Sequence, residues 1–370
     1  MTLKETLLAA LGELPGTREF HLHVLVTGAR KDSSLYRHAA PRPRTFVQDI
    51  LVLLAEETAE GGRKFVAGLE AHVYTVPATQ SGILYVSKVD STGQGTAPAG
   101  TCALVRAFIT YYADPGTRPV GVERLWVHLF ARAQGQYLFP NSAEYAGKRV
   151  LSDVRLCGWW RRVLGDVEAG VRDKGTARLY YVLPGYEEDE AVQLLGPGPG
   201  LYGHPYGQDA IGLPCGRGDT LGHWIPSFDD DPKARFLDEL ADGGTRKRKR
   251  DGELGAVGPD EFWARMAFRQ ECVAGAVTGF FALGVAGAVA VAEEAGHVPV
   301  QVLERIRTAL GAVEFSTGAR AARGTAAVEG AIAGLCAGLD VSGRVRVARA
   351  GAAAAGRGRA VRMLSARRKQ

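Results

Sequence analysis

Residues 65–76, FVAGLEAHVYTV, set Phe65, Ala67, Leu69, Ala71 and Val73 on one side of the chain by strict alternation. A period of two is the spacing of a pleated strand with one face toward a core, and no helix satisfies it. GILYVSKVD follows at 82–90 across a short Pro/Gln/Ser/Gly link, so the two segments predict an antiparallel pair. FHLHVLVT (20–27), RLWVHLFA (124–131) and ARLYYVL (177–183) are further strand candidates, whereas FVQDILVLLAEE (46–57) fits either strand or helix. Helical stripes interleave with them. CALVRAFITYYAD (102–114) runs up to Pro115, and after Ser152 the residues Leu156, Trp160, Val163, Leu164 and Val167 share one stripe. Each stripe needs a sheet to cover, so the expected fold is α/β, a central mixed β-sheet flanked by helices.

With 370 residues, 46% of them hydrophobic, the chain can bury a large core. We expect one domain over 1–342, with an irregular surface excursion at 185–224, where EEDE, GPGPG and scattered glycines break every period. A flexible basic loop is expected at 242–258 and a disordered basic tail at 343–370. The net charge of +5 is concentrated in RKRKR (246–250) and in that tail. Such runs suit nuclear import or DNA contact and equally a solvated loop. VAGAVTGFFALGVAGAVAVA (273–292) is long enough to span a bilayer. It is rich in Gly and Ala and continues from charged sequence, so we expect a buried core helix and no membrane partner. The five cysteines form no C-x-x-C pair and read as buried free thiols. MTLKETLLAALGELPG has apolar positions at helical spacing with acidic residues among them, unlike a signal or transit peptide, and an intracellular protein is expected.

No G-x-x-x-x-G-K-[ST], G-x-S-x-G or H-E-x-x-H motif occurs, and GPGPG lacks the strand-to-helix setting of a dinucleotide site. Nucleotide hydrolysis and serine-hydrolase chemistry therefore have no support. The feature that stands out is FDDDPKARF (228–236). Asp231 followed by Pro232 is a strong helix start, with Phe236, Leu237 and Leu240 as the apolar face behind it. Asp229 and Asp230 are then solvated carboxylates, metal ligands or groups that meet a basic substrate. A hard cation needs further oxygen ligands, which the sequence does not point to, so no metal is expected.

Four ordered stretches narrow this choice: YVSKVDSTG (85–93), QYLFPNS (136–142) with KRVL and GWW after it, FDDDPKARF, and FWARMAFRQE (262–271). Together they resemble the fungal histone acetyltransferases that modify lysine 56 of histone H3, the regulator-of-Ty1-transposition type. VPVQVLERIRTAL and GTAAVEGAIAGL extend the likeness toward Leu339. The resemblance implies a fold like the CREB-binding-protein class of acetyltransferases and acetyl-CoA as co-substrate. It further implies histone H3, in H3–H4, as acceptor, presented by chaperones of the nucleosome-assembly-protein and anti-silencing types. A nuclear role in replication-coupled chromatin assembly, DNA damage and transcription regulation follows from it.

Carried over residue by residue, the family's acetyl-CoA contacts fall on Val89, Asp90 and Ser91, on the loop Thr96, Ala97, Pro98, Ala99 and Gly100, and on Phe130, Gln134, Arg149, Val150, Leu151 and Trp160. Lys148 and Arg149 can supply charge for phosphate, and the loop brings a helix N-terminus to it. The important carboxylates map to Asp230 and Asp231, with Asp90 across the site. A lysine amine must lose a proton before it attacks a thioester, so Asp231 is the acid/base candidate, Asp90 the orienting group and Trp160 a wall of the site. Lys233 matches the autoacetylated lysine. Asp229 stands where the family commonly has Pro, and Arg149 where some relatives have His. A non-catalytic chromatin or histone-chaperone binding module is the alternative class, and a nucleic-acid binder led by the basic runs is a third.

Overall fold

The computed structural model describes residues 1–57, 62–97, 99–206, 211–215, 218, 220–242, 254–269, 272, 277–288 and 296–349. In chain order these form α1 (Leu3–Gly12), β1 (Gly16–Val26), β2 (Arg30–Asp32), β3 (Thr45–Glu57), β4 (Arg63–Val76) and β5 (Ser81–Ser91). Next come α2 (Thr101–Ala113), β6 (Arg124–Ala131), α3 (Asp153–Val171), β7 (Thr176–Val182), α4 (Glu188–Leu195) and β8 (Leu201–Tyr202). The last third holds α5 (Leu221–Trp224), α6 (Pro232–Asp242), α7 (Pro259–Met266), β9 (Gly279–Ala286), α8 (Val300–Gly311), α9 (Gly318–Leu335) and β10 (Ser342–Arg349).

One mixed sheet runs β10-β1-β3-β4-β5-β6-β9-β7-β8, with β2 beside β3. Most neighbours are antiparallel; β5–β6 and β7–β8 are parallel. On one face α1, α2 and α3 pack over Ile50, Val52, Leu54, Leu69 and Val86. On the other, α8 and α9 cover Leu51, Leu53 and Phe65, and α5, α6 and α7 cover Val182 and Phe280. β3 is therefore buried on both sides, which is why its sequence reads as a continuous apolar run and not as an alternation.

Two bulges set the faces. Between β3 and β4 the register passes from Leu54 opposite Ala67 to Ala55 opposite Phe65, so Val66 is the extra residue. An extra residue reverses the sense of every side chain beyond it. Phe65 consequently joins the α8/α9 core, and Val66 takes the place in the α1/α2 core that strict alternation assigns to Phe65. In β5 the register passes from Val86 opposite Ala71 to Lys88 opposite Glu70, leaving Ser87 extra.

The expected core helix within 273–292 is instead a strand over its described part. β9 lies between β6 and β7, sending Phe281, Leu283 and Val285 to one face and Phe280 and Ala282 to the other. Covered on both faces, it shows no alternation, and an apolar run of that kind does not distinguish strand from helix. Its glycines serve packing: a Cβ on Gly284 would lie 2.8 Å from the Trp126 ring. Residues 273–276 and 289–292 lie outside the described residues, among which no helix is long and apolar enough to cross a membrane.

The excursion at 185–224 is more ordered than its composition suggests. Glu187 and Glu190 close a capping box on α4, Tyr202 and Leu201 extend the sheet, and Arg161 of α3 donates to the carbonyls of Gly196, Gly198 and Pro199. The domain does not end at 342 either, because β10 pairs with β1 from Ser342 opposite His23 to Arg349 opposite Gly16. Of the basic loop, Leu254 and Val257 are buried, while RKRKR lies outside the described residues, as does the tail beyond Arg349. Cys157 and Cys336 are buried as expected, whereas Cys102 is exposed.

Candidate active site

β5 and β6 run parallel from Ser81 opposite Arg124 to Val86 opposite Leu129 and pair no further. The bulge at Ser87 falls at that point, so the two strands part and leave a gap in the sheet. The gap is a chamber of about 220 Å³ walled by Ser87, Val89, Phe130, Gln134, Trp160 and Asp230. It shares Val89, Gln134, Tyr137, Leu156 and Trp159 with an outer groove of about 350 Å³, to which Ala99, Thr101, Lys148, Arg149, Val150 and Leu151 also contribute. The groove opens beside the N-terminus of α2 and the chamber reaches the acidic turn before α6, the two adjoining across these shared walls. Trp159 and Trp160 meet edge to face, with centroids 4.7 Å apart, and make their aromatic wall. Val150 is 50% and Leu151 38% exposed, an apolar lip at the mouth.

Asp90 organises the loop that closes these cavities. Its Oδ2 accepts from the backbone N–H groups of Tyr137, Leu138 and Phe139 at 2.8, 2.9 and 3.2 Å. Its Oδ1 accepts from Ser91 N–H and from the Lys148 ammonium, both at 2.8 Å. Lys148 also donates to Ser142 Oγ. Both carboxylate oxygens are thus engaged, so Asp90 positions the 137–148 loop and does not face an incoming amine. Lys148 is spent on the same pair, whereas Arg149 stands exposed at the mouth. Asp153, in the first turn of α3, accepts from Ala133 N–H at 2.6 Å and ties down the opposite rim.

The three carboxylates of the knuckle have separate fates. Asp231 is fully buried. Its Oδ1 caps α6 by accepting from Lys233 N–H at 2.8 Å, and its Oδ2 pairs with the Lys233 ammonium. Burial pushes the Asp231 carboxyl up, against the opposing pull of Lys233. Lys233 is 2% exposed and lies 4.5 Å over the Phe280 ring. Beneath the pair His128 is held neutral, its pKa lowered to about 3 by burial and then by Lys233. Asp230, by contrast, is exposed and lines the inner chamber. Its Oδ1 accepts from the Tyr85 hydroxyl at 2.7 Å, and that ring stacks flat on Phe228 at 3.9 Å. Burial, with Asp231 and Asp230 adding to it, pushes the Tyr85 phenol well above its usual range, so it stays the donor. Asp231 is thus sealed in an ion pair, and Asp230 is the knuckle carboxylate that lines the chamber. Asp229 is exposed and does not line the chamber.

The loop 96–100 is gripped from below. Arg18 and Glu56 form a buried two-point pair at 2.9 Å. Between them they take the Thr96 peptide, Arg18 donating to its carbonyl at 2.9 Å and Glu56 accepting its N–H at 3.1 Å. Thr96, Ala97 and Gly100 line neither cavity, Ala99 lines the groove, and Pro98 lies outside the described residues. Tyr85, Leu156, Trp159 and Tyr137 were not named as site residues by the sequence reading. Tyr85, Tyr137 and Trp159 lie within the quoted motifs and Leu156 on the α3 stripe, but a stripe marks a buried face and not a ligand. No group of three or more His, Cys, Asp or Glu side chains that could hold a metal occurs among the described residues.

The class of protein follows from comparison with known families. Residues 117–325 match the family described as the Histone acetyltransferase KAT11-type domain, and the chain belongs to that family. Its relatives there are Rtt109 proteins. It is 34% identical over 262 residues to "Histone acetyltransferase rtt109" of Aspergillus flavus, covering 60% of this chain and 45% of that protein. It is 34% identical over 235 residues to the protein of the same name from Schizosaccharomyces pombe, covering 59% and 56%. The chain thus spans about half the length of these curated relatives. Among solved structures, Rtt109 from Aspergillus fumigatus superposes with a TM-score of 0.79 at 25% identity, over 95% of this chain and 100% of that one.

Proposed function

We propose that this chain is a protein-lysine acetyltransferase that moves acetyl from acetyl-CoA to histone H3, at the lysine 56 class of site, in the nucleus and on histones presented by chaperones. The observation that carries the reading is the pair of adjoining cavities that lead from the α2 mouth to Asp230. Its outer part suits the co-substrate. Arg149 and the first turn of α2 offer charge and backbone N–H groups to a diphosphate, and Val89, Trp159 and Leu156 give an apolar path for a thin pantetheine arm. When bound, acetyl-CoA supplies an activated acetyl thioester at the inner end.

The chain's own groups do the rest. Asp230 attracts the acceptor ammonium and takes or relays its proton, Tyr85 holds Asp230 in place, and the tryptophan wall keeps bulk water from the thioester. Asp90, through the 137–148 loop, keeps the two cavities in shape. Lys233 is the position for autoacetylation, which would neutralise the cation opposite Asp231 once that pair opens. The test is incubation with radiolabelled acetyl-CoA and an H3–H4–chaperone complex, comparing wild type with Asp230→Asn. Label on H3 from the wild type, reduced roughly 10²-fold or more in the variant, is expected for loss of an acid/base group. An unlabelled histone with wild type, acetyl-CoA binding being confirmed, would sink the enzyme reading.

A further inference from the structure

On the α8 side of the sheet, behind Lys88 and Tyr137, lies a second pocket of about 330 Å³ that the reaction described above does not use. Lys88 and Tyr137 line both this pocket and the inner chamber, so one layer of side chains separates the two. Its far wall is α8, through Arg307, Leu310 and Gly311, and Leu51 and Leu138 give it an apolar floor. Glu70, 7% exposed, accepts from Lys88 at 2.8 Å and pairs with Arg307 at 2.6 Å. Arg307 reaches Glu304 through its other terminal nitrogen. The Arg307 Nε and Nη2 are buried and neither has a hydrogen-bond acceptor among the described residues, Nη2 being held to Glu70 by charge alone. A buried donor left unmatched is costly, and a small turn of the guanidinium toward the pocket it lines would let an incoming oxygen satisfy it.

We propose that this pocket is an acceptor subsite, taking an extended stretch of the acceptor protein beside the reactive lysine. That stretch would place a carbonyl, amide or carboxylate oxygen on Arg307 and an apolar side chain over Leu51 and Leu138. The inference rests on the acetyltransferase reading and adds what it leaves open, the side from which the protein acceptor is held. Continuity supports it: an extended chain advances about 3.3 Å per residue, so a side chain two positions from the lysine stands roughly 7 Å away, a reach that crosses one layer of side chains. Glu70 pairs with both Lys88 and Arg307 and Glu304 with Arg307, so the charges balance and the offset is selected by hydrogen bonding to Arg307 and not by net charge.

Two variants leave the chamber untouched. Arg307→Ala removes the unmatched donors, and Gly311→Trp fills the pocket from a position where an added Cβ meets nothing within 4 Å. Steady-state transfer is measured with two acceptors, an H3–H4–chaperone complex and the single residue Nα-acetyl-lysine amide, which is too short to reach the pocket. Both variants should raise KM for the protein acceptor about tenfold, while KM for acetyl-CoA and transfer to the short acceptor stay at wild-type values. Gly311→Trp with an unchanged KM for the protein acceptor would overturn the subsite, as would equal losses on both acceptors. A wild-type chain that transfers to neither acceptor would bring down the acetyltransferase reading and this one with it.

Discussion

Asp230 and Asp231 are chain neighbours with opposite environments, and their amide variants should separate accordingly. Asp231→Asn leaves the Lys233 ammonium buried without its counter-charge, a change that costs about 3–5 kcal/mol, and thermal unfolding should show it directly. Asp230→Asn removes an exposed carboxylate, so its melting temperature should stay near wild type while turnover collapses. His128 gives a pH signature. With a folded pKa of about 3 against about 6.5 unfolded, the unfolded chain binds the extra proton between those values. Its contribution is therefore neutral above about pH 6.5 and increasingly destabilising as pH falls toward 3. His128→Leu should melt with a shallower loss on acidification, measured as the wild-type-minus-variant difference in unfolding free energy across that window. The cap at Asp231 was legible in DDDP, because capping is local chemistry. Which aspartate faces the chamber was not, since burial there is decided by Tyr85 and Phe280, brought in from strands far away in sequence to meet Phe228 and Lys233.

The decisive elements are β5 and the loop that follows it. Alternation in 82–90 marks a strand, yet the extra residue at Ser87, where the chamber opens, has no composition of its own and is set by pairing with β4 and β6. The Val66 bulge escaped notice for the same reason, and β9 was taken for a helix because a strand covered twice loses its period. Motif resemblance compensated in part: most of its co-substrate residues line the two cavities, but Thr96, Ala97 and Gly100 support them from behind and Asp90 works through backbone. That support makes a prediction. Glu56→Gln keeps an oxygen for Thr96 N–H but breaks the charged pair with Arg18, loosening the approach to α2. Acetyl-CoA should bind about tenfold more weakly by calorimetry, and KM should rise with kcat nearly unchanged. A matched loss of stability made elsewhere, such as Ile332→Val in the α8/α9 core, should leave that affinity alone.

Across the whole molecule, β10 is what the composition concealed. Its arginines and glycine look like the start of a tail, but Val345 and Val347 pack on the α1 side of β1 while Arg346 pairs with Glu19. A chain cut after Val341 should lose more than an appendage. It would expose the edge of β1 and part of the core under α1, lowering the melting temperature and favouring edge-to-edge association, read by light scattering.

The same strand bears on how the protein is made. Lys4 and Asp340 form an ion pair across 336 residues of chain, and β1 is synthesised long before the strand that becomes its neighbour. Contacts so distant in sequence slow folding, and a strand edge left open in the meantime invites wrong partners. A nascent chain of this kind is therefore a natural client for general folding chaperones.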